Sequence, residues 1–250
     1  MSTFVEGRVP PHAHGGAPSA ECAHLWTTTV VGDEATVVEA LRILSPSERN
    51  RAGALPAGAV RRRFVLCRAF LRTVLADYLG RPPEAVVLFE SGHGKPVLIP
   101  EPGDADLRFC VSHAVERVAC VVGADRAVGV DLERVRPVAD LPRLARTVLN
   151  QEEWETWCAL PAGDVLPAFF RAWTRKEAVL KADAAGRGGW GELMVTLRPN
   201  EPARVLRWPG WLAGTGGWAL AEPELGPGWA LTVAGEGTLP LRVEEHEFAA

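Results

Sequence analysis

The sequence predicts an α+β protein built from two pseudo-symmetric α/β subdomains of like topology, with a functional cleft between them. Three observations carry that prediction. The order of elements is written twice along the chain. Each writing contains the same helix-capping signature. Each then holds one long amphipathic helix followed by three strand-like runs.

In the first half, "HLWTTTV" (residues 24–30) reads as a strand and "ATVVEALRIL" as a short helix. "SPSERNRA" follows, where Ser45 and Glu48 have capping-box spacing and Pro46 takes the first helical position. The long helix is predicted from about Val60 to Leu79, with Phe64, Cys67, Leu71, Val74 and Leu75 at helical spacing. "AVVLF", "LRFCVSH" and "RVACVVGA" then read as strands.

The second half repeats the series. "AVGVDLERV" is a strand and "DLPRLARTVL" a short helix, and "NQEEWETW" opens a helix with Asn150 and Glu153 in the same cap spacing. The second long helix is predicted from about Ala168 to Asp183, followed by strands in "ELMVTL", "GWALAEP" and "GWALTVAG". The predicted organisation is a tail at 1–20, a first subdomain at 21–125 and a second at 126–250, joined near Asp125 and Arg126. A duplicated fold of this kind leaves a cleft between its halves, a favoured place for ligands.

Composition narrows the function classes. The chain has 250 residues, 47% hydrophobic and 23% charged, with net charge -4. That balance gives no global basic field for nucleic acid. No apolar run reaches the roughly 20 residues a membrane span needs. The start lacks the basic and apolar segments of a secretory signal and reads as a Gly/Pro/Ala-rich tail, in which His12 and His14 are solvated sequence. Cys22, Cys67, Cys110, Cys120 and Cys158 are odd in number and without C-x-x-C spacing. They read as reduced thiols of a cytoplasmic protein.

Of 27 basic residues only Lys95, Lys176 and Lys181 are lysine. In so arginine-rich a chain, the surviving lysines are candidates for places where a compact ammonium serves better than a planar guanidinium, the alternative being chance. Lys95 lies in "GHGKPVL", a turn fixed by Gly94 and Pro96. Lys176 and Lys181 lie in "WTRKEAVLK", where Trp173, Glu177 and Lys181 share a helix face at i, i+4 and i+8. All three are candidates to bind phosphate.

The strand "VGVDLER" ends on Asp131 and Glu133, two apart and so on one face, with Val130 and Leu132 on the other. Like charges this close need a positive partner. With Glu177 they make three hard oxygen donors, a set suited to Mg²⁺. Ser112 and His113 close the strand "FCVSH", and Arg63 sits in an arginine run on the first long helix.

Taken in order, "GKP", "VSH", "GVDLER" and "WTRKEAVLK" resemble the 4′-phosphopantetheinyl transferases of the larger, surfactin-synthetase-activating (Sfp-like) type, over roughly Trp26 to Val233. The resemblance implies the phosphopantetheinyl transferase fold in a monomer, coenzyme A as donor substrate between the halves and Mg²⁺ on its pyrophosphate. It implies transfer of the phosphopantetheine arm to a serine of an acyl- or peptidyl-carrier protein of polyketide, nonribosomal-peptide or fatty-acid synthesis, releasing adenosine 3′,5′-bisphosphate. Asp131, Glu133 and Glu177 match the metal-binding acids. Arg63, Lys95, Ser112, His113 and Lys181 match coenzyme A contacts, and Arg51 an early basic position; Lys176 joins this set as the third lysine. Glu48 falls where some members carry lysine, which leaves that contact open, with Arg49 as one candidate to supply it. Glu177, Lys181 and His113 are the expected catalytic residues, with Glu177 preferred to Glu133 as base. A carrier helix is one occupant for the apolar stripe Val138, Leu141, Leu144 and Val148, and the protein core is the other. Two rival readings stay open: an Mg²⁺-dependent nuclease, and a non-catalytic coenzyme A or carrier-protein binding module.

Overall fold

The computed structural model describes residues 17–90, 94–183, 189–210, 212 and 216–248. His12, His14 and most of the expected tail lie outside the described residues.

The first half runs β1 (Cys22–Thr29), α1 (Glu34–Ile43), α2 (Pro46–Ala54), α3 (Ala59–Leu79), a 3₁₀ turn (Pro83–Ala85), β2 (Leu88–Glu90), β3 (Pro96–Leu98), β4 (Leu107–Ala114) and β5 (Arg117–Ala124). The second runs β6 (Val128–Arg134), α4 (Leu141–Val148), α5 (Gln151–Cys158), α6 (Ala162–Ala182), β7 (Met194–Val195), β8 (Val205–Arg207), β9 (Trp218–Ala221), β10 (Trp229–Glu236) and β11 (Arg242–Glu247).

The repeat is real in the topology. One sheet has strand order β11-β1-β5-β4 and the other β6-β10-β9. Without β11 the two orders are the same, with the opening strand of each half against its last strand, antiparallel throughout. Both capping boxes form. Ser45 and Glu48 exchange bonds at the start of α2, and Asn150 and Glu153 do so at the start of α5.

Each long helix covers its own sheet. Phe70, Leu71, Val74 and Leu75 of α3 pack with Trp26, Val118, Cys120 and Val122. Phe169, Ala172, Ala178 and Val179 of α6 pack with Leu193, Val195 and Ala234. A third cluster holds Leu25, Cys110 and Val121 of one sheet against Val130, Leu132 and Val233 of the other, so the sheets face each other across apolar side chains. The alternation of β6 resolves accordingly. Val128, Val130 and Leu132 enter this layer, which leaves Gly129, Asp131 and Glu133 on the opposite face.

Two expectations change, and one open alternative resolves. Helix α6 begins at Ala162, ahead of Pro167, which stands inside the helix. Of the two occupants open to the stripe Val138, Leu141, Leu144 and Val148, the core is the one observed: Val148 is buried and the other three, partly buried, pack against the second core. The last described strand, β11, pairs in parallel with β1 and so sits in the first sheet, although a contiguous division puts it in the second half.

Candidate active site

Gly129 is where the site begins. Helix α6 lies so close to β6 that a Cβ at Gly129 would meet the carbonyl oxygen of Ala178 and come within 2.7 Å of the Ala182 nitrogen. Only glycine admits this approach. The contact brings the last turn of α6 beside the end of β6.

Lys181 Nζ accordingly lies 2.5 Å from Asp131 Oδ1 and 3.0 Å from Ser112 Oγ. Ser112 donates its own hydroxyl proton to Asp131 Oδ1 at 2.8 Å. Three elements, β4, β6 and α6, thus meet at one carboxylate oxygen. Asp131 is 3% exposed, and its second oxygen, Oδ2, is buried without a hydrogen-bond partner. Burial pushes the Asp131 carboxyl up, against the pull of Lys181 and Ser112. Burial likewise raises Glu133, with repulsion from Asp131 added. The positive group beside the acids is therefore the Lys181 ammonium. The oxygens of Asp131, Glu133 and Glu177 are not drawn within 4.8 Å of one another as a group of three.

In front of this carboxylate opens a cleft of about 600 Å³. It is lined by α2, α3 and β4 and the Gly94–Pro96 turn of the first half, and by α6 and Trp190 of the second. Arg51, Arg63, Lys95, Ser112, His113, Glu177 and Lys181 all line it. Lys95 donates through Nζ to the carbonyl oxygen of Lys181, so a first-half cation touches the end of a second-half helix. Leu55, Val60, Phe64, Leu71, Val111 and Leu180 make the apolar part of the wall.

Burial lowers the His113 pKa, and repulsion from Arg63 and Lys181 lowers it further. Its imidazole is thus neutral at pH 7. Burial pushes the Cys67 thiol up to about 12, so a thiol in the wall stays protonated and inert.

Lys176 is not in the cleft. It is fully buried, and its ammonium donates to Val148 O at 2.8 Å, Glu153 Oε2 at 2.5 Å and Trp190 O at 2.7 Å. It is the second-half counterpart of Arg72, whose Nε lies 2.6 Å from Glu48 Oε2. Each capping-box glutamate binds one buried cation of the long helix that follows. Glu48 is accordingly a structural acid. Arg49 does not take a place in the cleft either, because its guanidinium donates to Leu44 O.

Two cleft residues escaped the sequence reading. Arg68 lines the wall, 5.5 Å from the Phe64 ring centre, where Arg51 also lies at 5.2 Å. The Phe64–Arg68 spacing of i, i+4 was the available signal. Both guanidiniums contact Glu90, which offsets one of their two charges and leaves a net positive wall. Trp190 donates Nε1 to Glu177 Oε1 at 2.7 Å. Nothing local in "GRGGW" marks that tryptophan, since its partner lies on another element.

The family model described as the 4′-phosphopantetheinyl transferase superfamily matches residues 127–233. The chain is 36% identical over 188 residues to the 4′-phosphopantetheinyl transferase HetI of Nostoc sp. (strain PCC 7120), covering 75% of this chain and 79% of that one. It is 34% identical over 146 residues to the 4′-phosphopantetheinyl transferase AcpT of Escherichia coli (strain K12), covering 58% and 66%. It is 30% identical over 149 residues to the 4′-phosphopantetheinyl transferase psf-1 of Bacillus pumilus, covering 59% and 61%. The chain belongs to the 4′-phosphopantetheinyl transferase superfamily.

Proposed function

We propose that the cleft is the active site of an Mg²⁺-dependent transferase of the larger, surfactin-synthetase-activating type, assembled by one chain working as a cytoplasmic monomer. The reaction is phosphopantetheinyl transfer from coenzyme A to a carrier-protein serine. The single observation that supports the site assignment is the convergence of cations from both halves on one cleft. Arg51, Arg63, Arg68 and Lys95 come from the first half and Lys181 from the second. A donor carrying a pyrophosphate and a further phosphate matches that charge, and the apolar wall suits its organic parts. Neither half, divided near Asp125, owns the complete set.

Asp131, Glu133 and Glu177 fit a hard divalent ion. Their donors are carboxylate oxygens, and Asp131 Oδ2 is a buried acceptor without a hydrogen-bond partner. Bound there, Mg²⁺ supplies charge neutralisation for the pyrophosphate.

The chain's own residues do the rest. Lys95, Arg63 and Lys181 offer charge to the donor's phosphates and to the leaving group. Ser112 holds Lys181 in place at 3.0 Å. His113, neutral at rest, takes up a proton when an anion lies against it. Glu177 is the base, because it lines the cleft and Glu133 does not. The serine oxygen forms a bond to the β-phosphorus as the bridging P–O bond breaks. The serine proton passes to Glu177, and adenosine 3′,5′-bisphosphate leaves.

The test is incubation with coenzyme A, Mg²⁺ and an apo carrier protein, read by intact-mass spectrometry. The expected result is one phosphopantetheine per carrier. Coenzyme A binding without modification would make the chain a binding module, and cleavage of duplex DNA added to a parallel incubation with Mg²⁺ would make it a nuclease.

A further inference from the structure

We infer that this chain holds a second, structural metal site for a borderline ion of the zinc class, formed by Cys22, His24 and Glu244 where β1 meets β11. The sulfur of Cys22, an imidazole nitrogen of His24 and a carboxylate oxygen of Glu244 all lie within 4.8 Å of one another. Among the described residues, this is the one group of three such side chains with that property. The strand register explains it. Cys22 and His24 are two apart on β1 and so share a face, and His24 stands opposite Glu244 across a parallel pair.

The donor set chooses the metal. A thiolate, an imidazole and a carboxylate together match Zn²⁺, whereas Mg²⁺ takes oxygen alone. Tetrahedral Zn²⁺ separates such donors by about 3.5 Å. On binding, the three donors would close to that spacing, and solvent would supply a fourth ligand.

The surroundings are those of an oriented ligand. His24 is 1% exposed, and its Nδ1 lies 2.8 Å from the Tyr78 hydroxyl. That hydroxyl accepts from Trp26 Nε1 at 2.8 Å, so the phenol is itself held. With Nδ1 on the phenol, Nε2 would be the ligand atom, since an outer partner on one ring nitrogen leaves the other to the metal. His246 Nε2 lies 3.5 Å from Glu244 Oε1, so a second imidazole stands beside the carboxylate.

The consequence concerns the fold and not the transfer chemistry. Strand β11 carries Arg242, Glu244, Glu245, His246 and Glu247, and much of it is solvent-exposed. Its parallel pairing with β1 joins the last described strand to the first. A metal bridging both strands would hold this edge closed and add its binding free energy to folding.

The experiment uses the full chain stripped by chelator, then titrated with Co²⁺ under excess Mg²⁺ so that the carboxylate site stays occupied. One Co²⁺ per chain with a thiolate-to-cobalt charge-transfer band is expected, displaced by Zn²⁺. Cys22→Ser should abolish the band, and Cys158→Ser should leave it. Glu244→Gln, at a partly exposed position that tolerates the change, should weaken binding by at least about 10-fold, because it removes one of three protein ligands and not merely an outer-shell partner. Zn²⁺ should raise the thermal midpoint of the wild type but not that of Cys22→Ser, while carrier modification by Cys22→Ser matches wild type. No band, a band that survives in Cys22→Ser, or a thermal midpoint indifferent to Zn²⁺ would overturn the site. If Cys22→Ser does not fold, unchanged Co²⁺ affinity in Glu244→Gln overturns it equally.

Discussion

Glu153 Oε2 lies 2.5 Å from Lys176 Nζ in the core of the second half, and the same glutamate closes the capping box of α5. One carboxylate thus ties a helix start to the middle of α6. The lysine in turn holds the Trp190 carbonyl, and the Trp190 indole holds Glu177. Lys176 is therefore a positioning residue two contacts behind the proposed base.

Lys176→Met should destabilise the protein by about 3–5 kcal/mol, because it leaves a buried carboxylate without its cation. Glu153→Gln alone should cost a similar amount, and the double variant less than the sum. In the fraction that folds, kcat should fall while the KM for coenzyme A changes little. Denaturant unfolding with steady-state kinetics checks both. An unchanged midpoint with a raised KM would return Lys176 to the substrate.

Gly129→Ala should damage stability and transfer together. The added methyl meets the backbone of α6, which cannot give as a side chain can, so a cost of about 3 kcal/mol is expected. Displacing α6 also withdraws Lys181 from Asp131. Thermal melts and single-turnover transfer read the two effects, and a folded, fully active variant would break the link between that close approach and the site.

His113 should take up a proton when coenzyme A binds. In the empty cleft its pKa is held below the ordinary 6.5 by burial and by Arg63 and Lys181. Phosphate beside those cations removes the repulsion and favours the imidazolium, so the bound pKa is higher. Affinity is then greatest at low pH and declines as pH rises through the bound-state value. Calorimetry near pH 6 in buffers of different ionisation enthalpy should show uptake in wild type and none in His113→Asn. Equal uptake in both would place the proton elsewhere.

Lys95→Arg and Lys181→Arg should each lower kcat/KM about 10–100-fold, or about 1.4–2.7 kcal/mol. Lys181 fits its ammonium against both Ser112 and Asp131, and a planar fork has no room for that geometry. Unchanged kinetics in both would make the scarcity of lysine a matter of composition alone.

Much of this was legible in the chain because its signals are local. The duplicated caps at Ser45–Glu48 and Asn150–Glu153, the periodicity of α3 and the alternation of β6 each lie within a few residues. What escaped depends on distant partners. Strand β11, "RVEEHE", hides its role because an edge strand keeps its charges outward. Lys176 reads as a phosphate ligand until its partner is found 23 residues earlier. The stripe Val138–Val148 has the same pattern whether it meets a carrier or the core, and only packing decides.

The central claim is that one site forms from first-half cations and second-half acids, with Mg²⁺ on Asp131. Its most direct test is the intact mass of an apo carrier protein after incubation with coenzyme A, comparing wild type in Mg²⁺, wild type in excess chelator, and folded Asp131→Ala in Mg²⁺. The account predicts complete modification in the first and a loss of rate by orders of magnitude in the other two. Undiminished modification in chelator, or by Asp131→Ala, would contradict it.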